Sequence, residues 1–280
     1  MSEFITSLFV DARFRSTGTG SDFVLELPEN LACASNTVAH VAAVSFPVTF
    51  WTVEEGVRDR LAIQLCAPSL SIRISTFATL QPGQYDGFTF AEALKAALDE
   101  VLTGYAPPKW DVLYAPAETR LVIQWGDEKE PRRFWRFNSE RQLREKTVTW
   151  TGPAYDPYNL HLIDSIISLE DNPEEIQLDG TFVTGYFDSS AGISVAYLQS
   201  NLASFRSVGP QQSARNVIAR VPIEAAHGST AHWVDMGHTY SFTPVYNCSL
   251  SRLSFSLCDA TGRPLDLHGG DISLHIRFHD

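Results

Sequence analysis

The segment Ile272-Ser-Leu274-His-Ile276-Arg-Phe278 alternates apolar and polar residues without a break. A period of two places every apolar side chain on one side of an extended strand and every polar one on the other. Such a strand has to bury one face against a second layer. Related short runs recur along the chain. Phe23–Leu27 ends at Pro28, Thr37–Phe46 ends at Pro47, and Leu61–Leu65, Leu70–Ile74 and Ser254–Leu257 alternate in the same way. Further strands are expected at Thr181–Phe187, Ile193–Leu198, Val217–Val221, Tyr240–Tyr246 and Leu250–Leu257. Turn-forming Pro, Gly, Asn or Asp bounds the runs, and no solenoid-type period is present. Short, closely spaced strands of this kind predict a mainly β protein, a sandwich or jelly roll.

One stretch breaks the pattern. Phe90, Leu94, Leu98, Val101 and Leu102 share one helical face, with Glu92, Lys95, Asp99 and Glu100 elsewhere. Thr89 followed by Glu92 fits a capping box and Gly104 a helix-ending glycine, so a helix is expected over 89–103. Strands are expected at Trp110–Tyr114, Arg120–Trp125 and Phe134–Phe137, and a second helix at Ser139–Lys146. The resulting division is an N-terminal arm at 1–21, a jelly-roll domain from 22–77 and 151–280, and a small α+β insertion at 78–150. The arm is read as a loop because Gly18 and Gly20 lie among small polar residues. Residues 151–180 read as loop-rich, with an acidic cluster at Glu170, Asp171, Glu174 and Glu175 that reads as a solvated face.

The chain has 21 Lys and Arg against 33 Asp and Glu, a net charge of −12. That balance opposes general affinity for nucleic acid or anionic lipid. No apolar run approaches the ~18 residues of a membrane-spanning helix. Met1–Leu8 carries Glu3 and no basic segment, so no secretory leader is expected. Cys33, Cys66, Cys248 and Cys258 have no metal-type spacing and are expected as reduced core thiols in an intracellular folding environment.

The chain shows no GxSxG elbow, HExxH, Walker lysine or kinase signature. The densest cluster of ligating groups is His227, His232, Asp235 and His238 around Trp233, at a spacing that fits no familiar metal site. A metal-dependent enzyme on a jelly-roll scaffold would need the three imidazoles to converge in a barrel interior. Ser189 and Ser190 beside Asp188 have no base near them in sequence. Trp125 and Trp135, near Arg132 and Arg133, fit a stacking platform, which leaves a carbohydrate- or receptor-binding β-sandwich, a fibre-like attachment module, as the rival to a purely structural role.

Two sets of segments carry a resemblance. The first runs from Phe9-Val10-Asp11-Ala12-Arg13 through Ser21–Pro28 and Val38–Pro47 to Leu80-Gln-Pro82-Gly83-Gln-Tyr85. The second runs from Val195–Leu202 through Asn216–Ile223 to Leu250–Asp259 and Gly262–Gly269. In this order they resemble the penton, or minor capsid, proteins of polinton-like viruses, virophages and related double-jelly-roll-lineage DNA viruses. The resemblance implies a single jelly roll that forms homopentamers at the fivefold vertices of an icosahedral capsid, surrounded by double-jelly-roll major capsid protein trimers. It implies a location in the virion and no catalytic residue, metal or cofactor. The length is about half that of a double jelly roll, which separates a vertex protein from the major capsid protein. The arm and the loop 224–239 hold apolar and aromatic side chains, so Arg13, Arg15, His232, Trp233 and His238 are the expected assembly contacts. The protein is not expected to hold DNA by itself; if it faces the capsid interior, the arm with Arg13 and Arg15 is the expected point of contact with DNA or an internal partner.

Overall fold

The computed structural model describes residues 5–67, 72–103, 109–126, 134–146, 148–157, 160–167, 169, 181–190, 193–202, 216–235, 242–245 and 249–279. The chain forms two compact units, one from residues 1–50 and 193–280, the other from 51–192. Four strands open the first unit: β1 (Ile5–Asp11), β2 (Thr17–Gly18), β3 (Asp22–Ala32) and β4 (Val38–Pro47). The second unit holds β5 (Arg60–Ala67), β6 (Ile72–Thr79), α1 (Gly87–Leu102), β7 (Lys109–Ala115), β8 (Arg120–Gly126), β9 (Phe134–Asn138), α2 (Glu140–Arg144) and β10 (Thr181–Tyr186). The chain then returns to the first unit with β11 (Val195–Ser200), β12 (Val217–Pro222), β13 (Thr230–Val234), β14 (Thr243–Pro244), β15 (Ser249–Cys258) and β16 (Ser273–His279).

Apart from the two-residue strands β2 and β14, the described residues of the first unit form eight strands. One sheet runs β1-β16-β4-β13 and the other β12-β11-β15-β3. Counted along the unit, those orders are first-eighth-third-sixth and fifth-fourth-seventh-second. All the pairings are antiparallel. This winding is the jelly roll, in which successive strands mostly change sheets. The residues between the third and fourth strands are the whole of the second unit.

The inward residues of both sheets make one core. Val44, Phe46, Leu274, Ile276 and Phe278 come from the first sheet, and Leu198, Val221, Leu253, Phe255 and Leu257 from the second; all are buried. Phe23 meets Phe255 with ring centroids 5.6 Å apart. The turn before β3 is held closely: the Ser21 hydroxyl donates to the Leu265 carbonyl at 2.6 Å, and a Cβ on Gly20 would lie 1.8 Å from the Gly270 carbonyl oxygen.

The second unit has its own core. α1 packs against β6, β7 and β8, burying Phe90, Leu94 and Leu98 with Ile63, Leu121, Ile123 and Phe137. Two three-stranded sheets, β6-β5-β9 and β10-β8-β7, supply the strands. Asp86, not Thr89, caps α1. Its carboxylate accepts from the Thr89 amide at 2.8 Å, and the Thr89 hydroxyl accepts from the Asp86 amide at 3.0 Å. The capping box therefore begins three residues earlier than the Thr89–Glu92 pair suggests. Ser139 caps α2 in the same manner, close to the expected start.

Three boundaries differ from the sequence reading. Ile5–Asp11 is a sheet strand paired along its whole length with β16, not part of a loose arm. Thr230–Val234 pairs with β4, where a loop is expected. Both are edge strands of the same sheet, and each shows few buried positions, so their apolar period is weak. Finally, the unit between β4 and β11 is wider than 78–150. β5 pairs with β6 and β9, and Ile163, Ile166, Ile167 and Leu169 join the core around α1. Alternation shows that a strand has a buried face, not which sheet it joins. Gly104 and the acidic cluster at 170–175 lie outside the described residues.

Gly20→Ala is expected to lower the melting temperature markedly, because backbone cannot yield as a side chain does. Leu257→Ala and Leu94→Ala should each cost about 2–5 kcal/mol. Hydrogen exchange should place the loss in 1–50 and 193–280 for the first and in 51–192 for the second.

Candidate functional site

Strand pairing assembles one continuous surface from distant segments. On the sheet β1-β16-β4-β13, Asp11 lies opposite Ser273, Ser273 opposite Ser45, and Ser45 opposite His232. The adjacent row holds Phe9, His275, Ala43 and Val234. Val10, Val44, Ala231 and Leu274 point into the core, so these rows face away from it. Phe9 is 75% exposed and stacks on His275 with centroids 4.4 Å apart. Phe14, also 75% exposed, follows on the turn after β1. A groove of about 470 Å³ is lined by Phe9, Phe14, Leu25, Ser45, His232 and His275 among others.

The expected contact residues have different fates here. Arg13 lies on the surface and pairs with Asp11 at 2.5 Å. That hydrogen-bonded ion pair holds the Asp11 carboxyl below the usual carboxylate range. Arg15 is committed within the fold. Its guanidinium binds Asp271 at 2.6 Å and donates to the carbonyls of Ala12 at 2.8 Å and Gly18 at 3.1 Å. It ties the turn after β1 to the approach to β16. His232 lies on the outward side of β13, with Nδ1 2.6 Å from the Ser45 hydroxyl. Trp233, one residue on, turns inward and packs half-buried on the core. It anchors the edge strand from within, which a loop reading of 224–239 does not foresee. His238 lies outside the described residues.

Further along the same face is a second cluster. Register with β16 slips between His275 and Ile276, which pair with Ala43 and Val41 and leave Ala42 as the extra residue of a bulge. The slip turns His40 away from the core and opposite Arg277. His40 Nδ1 and His279 Nε2 are 2.9 Å apart, and Phe242 meets both rings edge-on. No sequence period points to this pair, because without the bulge residue 40 would share a side with Phe46 and Val44.

The other readings can be placed on the same structure. His232 sits on an outer face and His227 in an exposed turn, so neither reaches a barrel interior of the kind a metal-dependent jelly-roll enzyme needs. Among the described residues no three His, Cys, Asp or Glu side chains are grouped to hold a metal. Ser190 donates to Asp188 at 2.6 Å, a local turn contact. The thiols of Cys33 and Cys258 are buried, and burial raises the pKa of Cys258. The side chains of Cys66, Trp125 and Trp135, and all of Cys248, Arg132 and Arg133, lie outside the described residues. No described helix is long and apolar enough to cross a membrane.

No protein-family model matches the chain. No curated protein matches it either. Among solved structures, the chain is similar to the mavirus penton protein, with a TM-score of 0.58 at 11% identity, covering 99% of both chains. A cryo-EM structure of the Sputnik virophage matches at a TM-score of 0.44 and 11% identity, over 99% of this chain and 97% of that one. The first likeness shows that the two chains share a fold from end to end.

The two arginines should separate on mutation. Arg15→Met removes the guanidinium from Asp271 and the Gly18 carbonyl, while the Ala12 carbonyl keeps the Arg15 amide, and should cost about 1–3 kcal/mol in denaturant melts. Arg13→Met removes an exposed ion pair and should leave the midpoint unchanged within error.

Proposed function

We propose that this chain is a structural protein of a viral capsid, a penton that closes into a ring of five at the fivefold vertices of an icosahedral double-stranded DNA virus. The observation that carries this reading is the likeness to the mavirus penton protein, which covers 99% of both chains. A sandwich suits the role physically. Two sheets packed face to face make a stiff wedge, and side surfaces remain free for neighbours. A ring of five needs two different surfaces that fit each other from copy to copy.

One of those surfaces is the outward face of β1 and β13. Phe9 and Phe14 expose large apolar area there, and His232 and Arg13 supply polar contacts at its rim. Arg15 and Trp233 hold the strands in place behind it, and His238 follows β13 in sequence. In this reading the occupant is a second copy of the chain, and trimers of a double-jelly-roll major capsid protein surround the ring. The protein then resides at the capsid vertex in the virion. The acidic chain, with both candidate arginines bound internally, holds no DNA by itself.

The native mass of the purified protein tests the ring. Five copies of a 31.1 kDa chain give about 155 kDa. Phe9→Ser combined with Phe14→Ser should shift that mass to a folded monomer, because both rings are exposed within one copy of the chain. A trimer, or a pentamer indifferent to both substitutions, would refute the ring or the assigned surface respectively.

A further inference from the structure

Four of the eight histidines, His40, His232, His275 and His279, share the face of one sheet that turns away from the core. Two of them touch. With His40 Nδ1 and His279 Nε2 at 2.9 Å, one nitrogen carries the hydrogen and the other accepts it. The contact exists when both rings are neutral and when one is protonated. It does not exist when both are, because two N–H groups then point at each other. The rings are also stacked, with centroids 4.9 Å apart, and His40 is only 8% exposed, so water cannot screen a second charge well.

The charged neighbours lean the same way. From β16, Arg277 lies directly across from His40, and His275 is on the same side. β14 and the residue before it bring Thr243, Pro244 and Phe242, none charged. From β1, Ser7 lies opposite Arg277 and is uncharged. Asp235, just after β13, is the one described group nearby that favours protonation of His40. The balance holds His40 below the ordinary imidazole value, through burial first and then the His279 charge. His275 is also lowered, by burial and then by Arg277.

We propose that the His40–His279 pair is an acid-operated latch that fastens the end of β16, and β14 through Phe242, to β4, and that double protonation opens it. At this end β4 lies between the two strands: His279 pairs with Val38, and β14 pairs with Val38 and Ala39. The sign follows from the lowered value. A group that binds its proton less readily when folded stabilises the fold fully above its unfolded pKa, about 6.5. That contribution fades as the pH falls through the lower folded value. The latch is closed at neutral pH and loosens in acid. It acts within one copy of the chain and stands apart from any assembly.

Hydrogen exchange of the full-length protein at pH 7.5 and pH 5.2, corrected for intrinsic rates, tests it. Amides in 38–41, 243–245 and 276–279 should lose at least about tenfold protection in acid, while the β11–β15 pairing keeps its own. In His279→Gln, whose amide can still donate to His40 but cannot take a proton, the loss should shrink below about threefold. Equal loss in the variant, no loss in the native chain, or a loss spread evenly over both sheets would overturn the latch. Should His279→Gln not fold, His40→Gln makes the same comparison, and the native profile decides between local opening and general acid unfolding.

Discussion

The structure of the first unit depends on one apposition: the inner faces of β4 and β16 against those of β11 and β15. These four strands are central to their two sheets, so every other described strand in the unit is paired to one of them, save the two-residue β2, which pairs with β3. Val44, Phe46, Leu274 and Ile276 meet Leu198, Leu253, Phe255 and Leu257 in a single apolar layer. Each such side chain contributes about 1.5–3 kcal/mol relative to exposure. The edge strands of the first sheet add little burial of their own. β1 offers Val10 with half-buried Leu8, and β13 offers Ala231 with half-buried Trp233. They are held in place by ladders to a core they did not build.

This asymmetry explains what could be read from the sequence. The central strands announce themselves because one whole side of each is apolar, as in Ser254–Leu257 and Ile272–Phe278. β1 and β13 do not, since a strand that buries one or two residues has no visible period. β13 is concealed further by His232 and Trp233, which read as loop chemistry but alternate outward and inward on a strand. The extent of the inserted unit was hidden for a different reason. β5 has as clean an alternation as any jelly-roll strand, and only its pairing with β9 assigns it to the core around α1. Pairing is a long-range property that no local window contains.

The candidate surface shows the same division. Phe9, Phe14, Arg13 and His232 could be singled out by type, but their meeting on one side of one sheet required the register. His40 and His279 are 239 positions apart and are brought together by a single extra residue at Ala42. An inserted residue reverses the facing of everything beyond it. The likeness to the mavirus penton protein at 11% identity fits this view. A fold can be kept by strand order and by which side of each strand is apolar, with few residues in common.

The outward face of β1-β16-β4-β13 joins two properties that soluble sheets normally keep apart. Its edge carries Phe9 and Phe14, each three-quarters exposed, beside a strand with an open row of backbone groups. An apolar edge of that kind favours association, and natural proteins usually blunt it with charge. Here the blunting groups are largely imidazoles. The face carries Arg277, the Asp11–Arg13 pair and four imidazoles, and burial holds His40 and His275 below the ordinary imidazole value. The same face therefore joins exposed aromatic area to imidazoles, two of which burial keeps from taking up charge readily, so its edge is blunted less than a row of lysines would blunt it.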